Sequence, residues 1–584
     1  MHSKKNNKAK YSYLFLHFIC CIFFFLWPGS ISLLAQNPFT DTVRSQTSTS
    51  LNEIYIVQAQ RLNYQKIDSI EYQSAAGKVV IRQNSTLFYC DSVVLNKNLN
   101  QMQAFGHVHI NDADSIHTYA DFLRYNGNEK KAFLDRNVKL SDGNSTLTTK
   151  SLVYDVSTKL GTYKTPGKVV NGKTVLTSNE GFYYGDTKDI YFKKKVELID
   201  PDYILKTDTL LYNTQTGIAT FVAPTEILSG SRKVLTNAGY YDAKARKTYF
   251  GQRPHIEDST TVLDANEIAF DDSSGYSEAS GNVVYKDTAQ GITILANNLK
   301  SNKKTESFLA TEKPILILRQ DKDSVFLAAD TFFSAKLSAL KKVRDVPVVR
   351  DSLAQIDSVK RAKGNDSTDR FIEAYFNVRI FSDSLQAVGD SLFYSMEDSV
   401  FRLFKNPVVW GQESQITGDT IYLYTSRQKP KEMYVFENAI SIQKTKQNFY
   451  NQVSGRTIKG LFDTSGNLDM VRAKGNAASI YYAQDDAGKY VGVNRATADV
   501  IDMFFINKEA DKIVFRRNLE GISYPMGQVN HETLRLDGFN WLEWRRPKTK
   551  YDLFIDEING APDIPVPPDD NNAQQDSIRK EIKE

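Results

Sequence analysis

Polar and apolar positions alternate along most of this chain, and the alternation recurs on a beat of about 30 residues. One recurring phrase opens on a polar residue and sets apolar residues two and four positions later. Asp121-Phe-Leu-Arg-Tyr125, Asp208-Thr-Leu-Leu-Tyr212 and Asp390-Ser-Leu-Phe-Tyr394 are examples. The other phrase is a short turn running into alternation, as in Gly106-His-Val-His-Ile110, Arg136-Asn-Val-Lys-Leu140 and Gly281-Asn-Val-Val-Tyr285. Residues two apart share one face of a strand, so both phrases predict short strands, two to three per unit. Asn126-Gly127-Asn128 and Asp272-Ser-Ser-Gly275 supply turns between them.

The leading polar positions are Gln60, Asp91, Asp121, Lys150, Glu180, Asp208, Asn237, Asn266, Asn297, Asp330, Asp390, Asp419, Arg456 and Asp499. The turn phrase keeps the same beat, through Val79, Val108, Val138, Val169, Val196, Ile227, Ile256, Val283 and Ile315. A fixed period of this length predicts a stacked array in which no unit buries its apolar face alone. The class is all-β. About 14 units, each giving one strand to each of two sheets at ~4.8 Å per strand, predict a length on the order of 65 Å. Alternation assigns one set to the inner face: Val108, Ile110, Leu123, Tyr125, Val138, Leu140, Leu152, Tyr154, Phe182, Tyr184, Val196, Leu198, Leu210 and Tyr212. Phe122, Arg124, Lys139 and Val153 then point outward.

Breaks in the pattern divide the chain. Residues 1–35 have a basic start, an apolar run from Tyr11 to Trp27, then Pro28-Gly29 and Ala35, the form of a secretory signal peptide. An uncleaved membrane anchor is the alternative. Residues 36–52 read as a linker, 53–336 as a first array and 337–370 as a charged insertion, partly helical or disordered, that replaces one unit. Leu353, Ile356 and Val359 mark a short helix there. A second array spans 371–525. Residues 526–559, with Trp541 and Trp544, form a capping or docking segment at the last unit. Residues 560–584 are expected to be a disordered tail.

Charge and chemistry narrow the function. Lys+Arg is 73 and Asp+Glu 69. The excess lies in Lys4, Lys5, Lys8 and Lys10, so the chain without its leader carries no net charge. That balance argues against nucleic acid as a partner. Cys90 is the one cysteine beyond the leader and reads as a buried strand residue. Cys20 and Cys21 lack the small-residue context of a lipidation site. His107 and His109 read as a solvent-facing pair rather than half a metal site. The recurring acids lack the dense Gly-Asp runs of a calcium-binding roll, and Lys150 and Arg456 share their slot, so they read as corner hydrogen-bonding residues. With no nucleophile elbow, phosphate loop or carboxylate pair, no catalytic residue, metal or cofactor is expected.

The unit, polar-x-apolar-x-Tyr followed by Ala-x-Gly-x-Val-x-Ile, resembles the OstA-like repeat of the periplasmic lipopolysaccharide-transport proteins (the LptA, LptC and LptD N-terminal-domain group). Tyr119-Ala-Asp121-Phe-Leu-Arg-Tyr125 and Ala104-Phe-Gly106-His-Val-His-Ile110 carry the resemblance most clearly. It implies an elongated, open, twisted β-jelly roll in the periplasm, either free or associated with the outer membrane. By the same resemblance the inner-face residues above would hold the acyl chains of lipopolysaccharide. The partners would be inner- and outer-membrane lipopolysaccharide-transport proteins, with end-to-end self-association through strand edges near Glu53–Ile56 and Val500–Phe504. The sequence departs from the family in its length, its insertion and the want of a large C-terminal barrel segment. Two other classes compete: a structural β-solenoid stalk with a solid core and no lipid, and an outer-membrane barrel. Polar alternate positions such as Arg124, Asp155 and Lys193 argue against the barrel.

Overall fold

A computed structural model describes residues 52–319, 324–346, 369–411, 413–426, 429–485, 487–506 and 509–554. The leader, most of the linker, most of the 337–370 insertion with Leu353, Ile356 and Val359, and the 560–584 tail lie outside the described residues. The described chain is strand nearly throughout, and every strand pairing is antiparallel.

Each strand row bends in its middle and so contributes to two walls. Lys131–Ser141 is representative. Its first half pairs with Phe122–Asn126 on one side and Ser151–Asp155 on the other. Its second half pairs with His117–Tyr119 and Thr146–Thr149. Between the halves sit Arg136 and Asn137 at φ 67° and 51°, a left-handed pair that breaks the ladder as a bulge and turns the strand. Gly106-His107, Lys194-Lys195, Gly281-Asn282, Phe376-Asn377, Glu437-Asn438 and Arg517-Asn518 repeat the device. The two walls thus diverge from a common ridge like an opened book, with the apolar faces inside.

The recurring polar residue stands at the ridge of the alternate rungs. Its backbone N–H donates to the carbonyl of the first left-handed residue next door: Asp330 to Phe376 at 3.0 Å, Asp419 to Glu437 at 3.1 Å, Asp499 to Arg517 at 3.2 Å. Its side chain accepts from the second: Asn137 to Asp121 at 2.7 Å, Asn377 to Asp330 at 2.9 Å, Asn438 to Asp419 at 3.1 Å. Arg456 fits the slot because Glu437 stands opposite it at 2.9 Å. The side chains therefore tie rung to rung, which differs from the backbone-capping role expected at a turn.

Three expectations change. A unit supplies two rungs, not one, so about 14 units at ~4.8 Å per rung extend on the order of 130 Å. The insertion replaces no unit, because Thr331–Lys336 pairs directly with Arg370–Phe381 and the excursion leaves from a turn between consecutive rungs. It starts with one helical turn, Leu337–Leu340, whose Leu337 packs on Phe371 and Phe393. The last rung is Glu509–Arg516 with Glu520–Pro525, one beyond the expected edge at Val500–Phe504.

Residues 526–554 do not cap the end. They run back as a strap along the outer face of the second wall, where the outward side chains become apolar. Leu536 packs on Ile440, Ile442 and Tyr482, Leu542 on Val388 and Trp410, and Leu553 on Leu295, Ile317 and Phe326. Two outward glutamines grip its backbone. Gln452 donates to the Leu534 carbonyl (3.2 Å) and accepts from the Leu536 N–H (2.8 Å). Gln415 does the same for Asn540 and Leu542 (2.6 and 2.7 Å). Trp541 lies tilted against Tyr450 and packs on the cluster that holds Tyr482 and Val493, while Trp544 is 63% exposed.

Candidate apolar cleft

Alternation fixes which side chains face inward. Val108, Ile110, Leu123, Tyr125, Val138, Leu140, Leu152, Tyr154, Val196, Leu198, Leu210 and Tyr212 are all buried in the inner cluster. Phe182 and Tyr184 are not among them: Tyr184 is 42% exposed, and Tyr183 occupies the interior. The corner of this unit is Asn179, whose N–H donates to the Lys194 carbonyl at 3.0 Å, rather than Glu180. A one-residue shift moves every side chain of a strand to the other face. The shift also brings Gly181 inward, against the Tyr163 ring.

From residue 102 to about 221 the walls close on each other. The inward residues there pack at a few per cent exposure or less. Tyrosines four positions after the corner reach across to the second wall. Tyr125 donates to Gln83, Tyr154 to Asp112 (2.8 Å) and Tyr183 to Asp142 (3.0 Å). Asn171 donates to the Tyr212 hydroxyl at 3.2 Å. Each partner lies at the second-wall end of a strand, three rungs back. Burial is the main cause that pushes these phenols above their ordinary pKa, so they stay protonated. Tyr241 is half-buried, and its ring meets Tyr203 edge-on at 4.9 Å.

Beyond Tyr241 the walls part. A cleft of about 720 Å³ opens between them, floored by Ile256, Phe270, Tyr285, Ile294, Leu299 and Phe308. Several floor residues, Leu263, Phe270, Tyr285, Ile292 and Phe308 among them, are only partly buried, unlike their counterparts in the closed stretch. The rim is charged: Arg232, Arg246, Lys303 and Arg370 stand with Asp258, Asp271 and Asp287. Its size is ordinary for a small-molecule site, and its chemistry suits a ligand with an apolar body and a polar head. Sequence periodicity predicted an inward apolar face but not where that face would be open.

A sequence profile of OstA-like proteins matches residues 51–208 and 194–266. Residues 51–266 are OstA-like. The OstA-like match ends inside the cleft region, while the same bent rungs continue to Pro525. No curated protein matches the chain. OstA-like proteins are transport and binding proteins involved in lipopolysaccharide transport, and the all-β roll agrees with the match over these residues.

Cys90 is buried at the ridge, and burial with the neighbouring Asp91 pushes its thiol up to about 12. His107 and His109 do not form a pair. The Gly106-His107 bulge turns His107 onto Asp91 at 2.8 Å, whereas His109 lies stacked on Tyr119 and meets His117 at 3.0 Å. Among the described residues no three metal-ligating side chains converge, and no helix is long and apolar enough to cross a membrane.

Proposed function

We propose that this protein is a periplasmic lipopolysaccharide-binding bridge that carries its cargo towards the outer membrane. The observation that carries this reading is the apolar cleft between the walls of an OstA-like roll. Each acyl methylene transferred from water into such a floor gains roughly 0.8 kcal/mol. The mixed-charge rim leaves the head group hydrated at the mouth. The inward residues of the closed stretch, Val108 to Tyr212, form the continuation of this face and would contact acyl chains when the walls part.

Inner- and outer-membrane partners would join at the ends. The first rung, Tyr55–Gln58 with Arg61–Ile67, exposes Leu62, Tyr64 and Ile67, and the last exposes Leu519 and Ile522. Unpaired edges of this kind accept a further strand. A proline inserted at Tyr55 removes a ladder donor and should weaken assembly while leaving the roll folded.

A photo-crosslinker at Ile294 in living cells should capture lipopolysaccharide, and one at outward-facing Arg124 should not. Equal capture from both faces, or none from either, would reject the proposal. The close-packed stretch around Leu123 and Leu152 favours the second reading, a structural stalk. That reading predicts no lipid at Ile294.

A further inference from the structure

Resting on the lipid-carriage reading, we propose that the row of cross-wall tyrosines is a latch, and that its lapse sets the port where an acyl chain enters sideways. The latch position is the fourth residue after each corner. It holds Tyr125, Tyr154, Tyr183, Tyr212 and Tyr241, and the first four are bonded to the opposite wall. In the next three units the same position holds Phe270, Ser301 and Ser334, and all three line the cleft.

The receiving wall keeps its acids past this point. Asp258 and Asp287 end their strands as Asp112 ends its own, and both sit on the cleft rim. By the three-rung offset of the closed stretch, Ser301 stands opposite Asp258 and Ser334 opposite Asp287. Phe270 shows that ring volume alone does not close the walls, since it carries a ring and still borders the opening. What is missing is a hydroxyl carried on a ring long enough to cross: Phe270 has the ring without the hydroxyl, and Ser301 and Ser334 have the hydroxyl without the reach. Ser301 is instead bonded within its own wall, to Ser277 at 2.6 Å. The tyrosines are therefore positioning residues: they hold the N-terminal stretch shut and confine a loaded chain to the stretch after Tyr241 until the latch yields.

The test uses the full chain and two independent readouts. Binding of a fluorescent single-chain fatty acid and of purified lipopolysaccharide reports the port. A nitroxide pair at Asp114→Cys and Thr158→Cys, on turns either side of the Tyr154 bond, reports wall separation without ligand. Ser301→Tyr should lower probe affinity by about tenfold or more, the worth of one hydrogen bond to a charged acceptor. Ser301→Phe should lower it less. Tyr154→Phe with Tyr183→Phe should broaden the nitroxide distance and add probe capacity. Probe binding by the native chain with unchanged distances and affinities in the variants would overturn the latch and leave the carriage reading standing. Equal loss from Ser301→Tyr and Ser301→Phe would also overturn it. Wall separation in the double variant, with no probe bound by any form, would overturn the carriage reading and leave the latch.

Discussion

The Tyr154 hydroxyl donates to Asp112 Oδ2 across 2.8 Å, joining the two walls of the roll through residues 42 apart in sequence. Asp112 also accepts from Thr86 Oγ1 at 3.1 Å, so the carboxylate keeps one partner if the phenol is lost. Tyr154→Phe preserves the buried ring and removes only the charged-acceptor bond. It should cost ~1.5–3 kcal/mol in a urea titration. A loss near zero would mean that water replaces the bond at no cost.

Acid sensitivity should trace in part to Asp142. Burial works to raise its pKa. Hydrogen bonds from the Ser145 backbone, Thr214, Tyr183 and the Asn144 backbone more than offset that and hold it below the ordinary carboxylate value. A carboxyl with a lowered folded pKa adds stability that is complete above its unfolded pKa. That stability is lost as pH falls through the folded value. Asp142→Asn should therefore be less stable than the native chain at neutral pH, and the two should converge as pH falls through the lowered folded pKa, below the ordinary carboxylate range. Denaturant midpoints measured across that range check the sign; a constant gap would reject it.

Gly181 faces the Tyr163 ring so closely that an added Cβ would lie 2.4 Å from its Cε1. The ring is buried and its hydroxyl is tied to Ser178 at 2.8 Å, so it has little freedom to move. Gly181→Ala should overpack this rung by ~1–3 kcal/mol. Gly217→Ala meets open space, though its φ of 79° makes that change strained for a backbone reason. Crystal structures of the two variants would separate them: a displaced Tyr163 in the first, an altered turn in the second.

The strap depends on two side chains far from it in sequence. Gln415→Ala together with Gln452→Ala removes four hydrogen bonds to strap backbone while leaving its leucines in place. Trypsin cleavage at Arg535, Arg545 and Lys548 should then accelerate by about tenfold, as a local opening that leaves the rungs folded. Unchanged cleavage would assign strap docking to the apolar contacts alone.

Much of this architecture was legible in the chain itself. Alternation and the 30-residue beat determined strands, an apolar inner face and the ridge positions, because a strand's side-chain period is two whatever surrounds it. The tyrosines at 125, 154, 183, 212 and 241 also stand in equal steps of 29 residues. That spacing names Tyr183, not Tyr184, as the inward residue. What the chain could not state was the pairing between walls. A tyrosine meets an acid 41 or 42 residues back only because the rungs stack with a three-rung offset across the interior. The same stacking decided that one stretch closes and the next opens. The strap was equally hidden: its leucines match apolar outward residues from the Tyr276–Asp287 strand to the Tyr490–Ile506 strand, a contact with no local signature. Local periodicity is written residue by residue, whereas the distance between two packed walls is a property of all their side chains together.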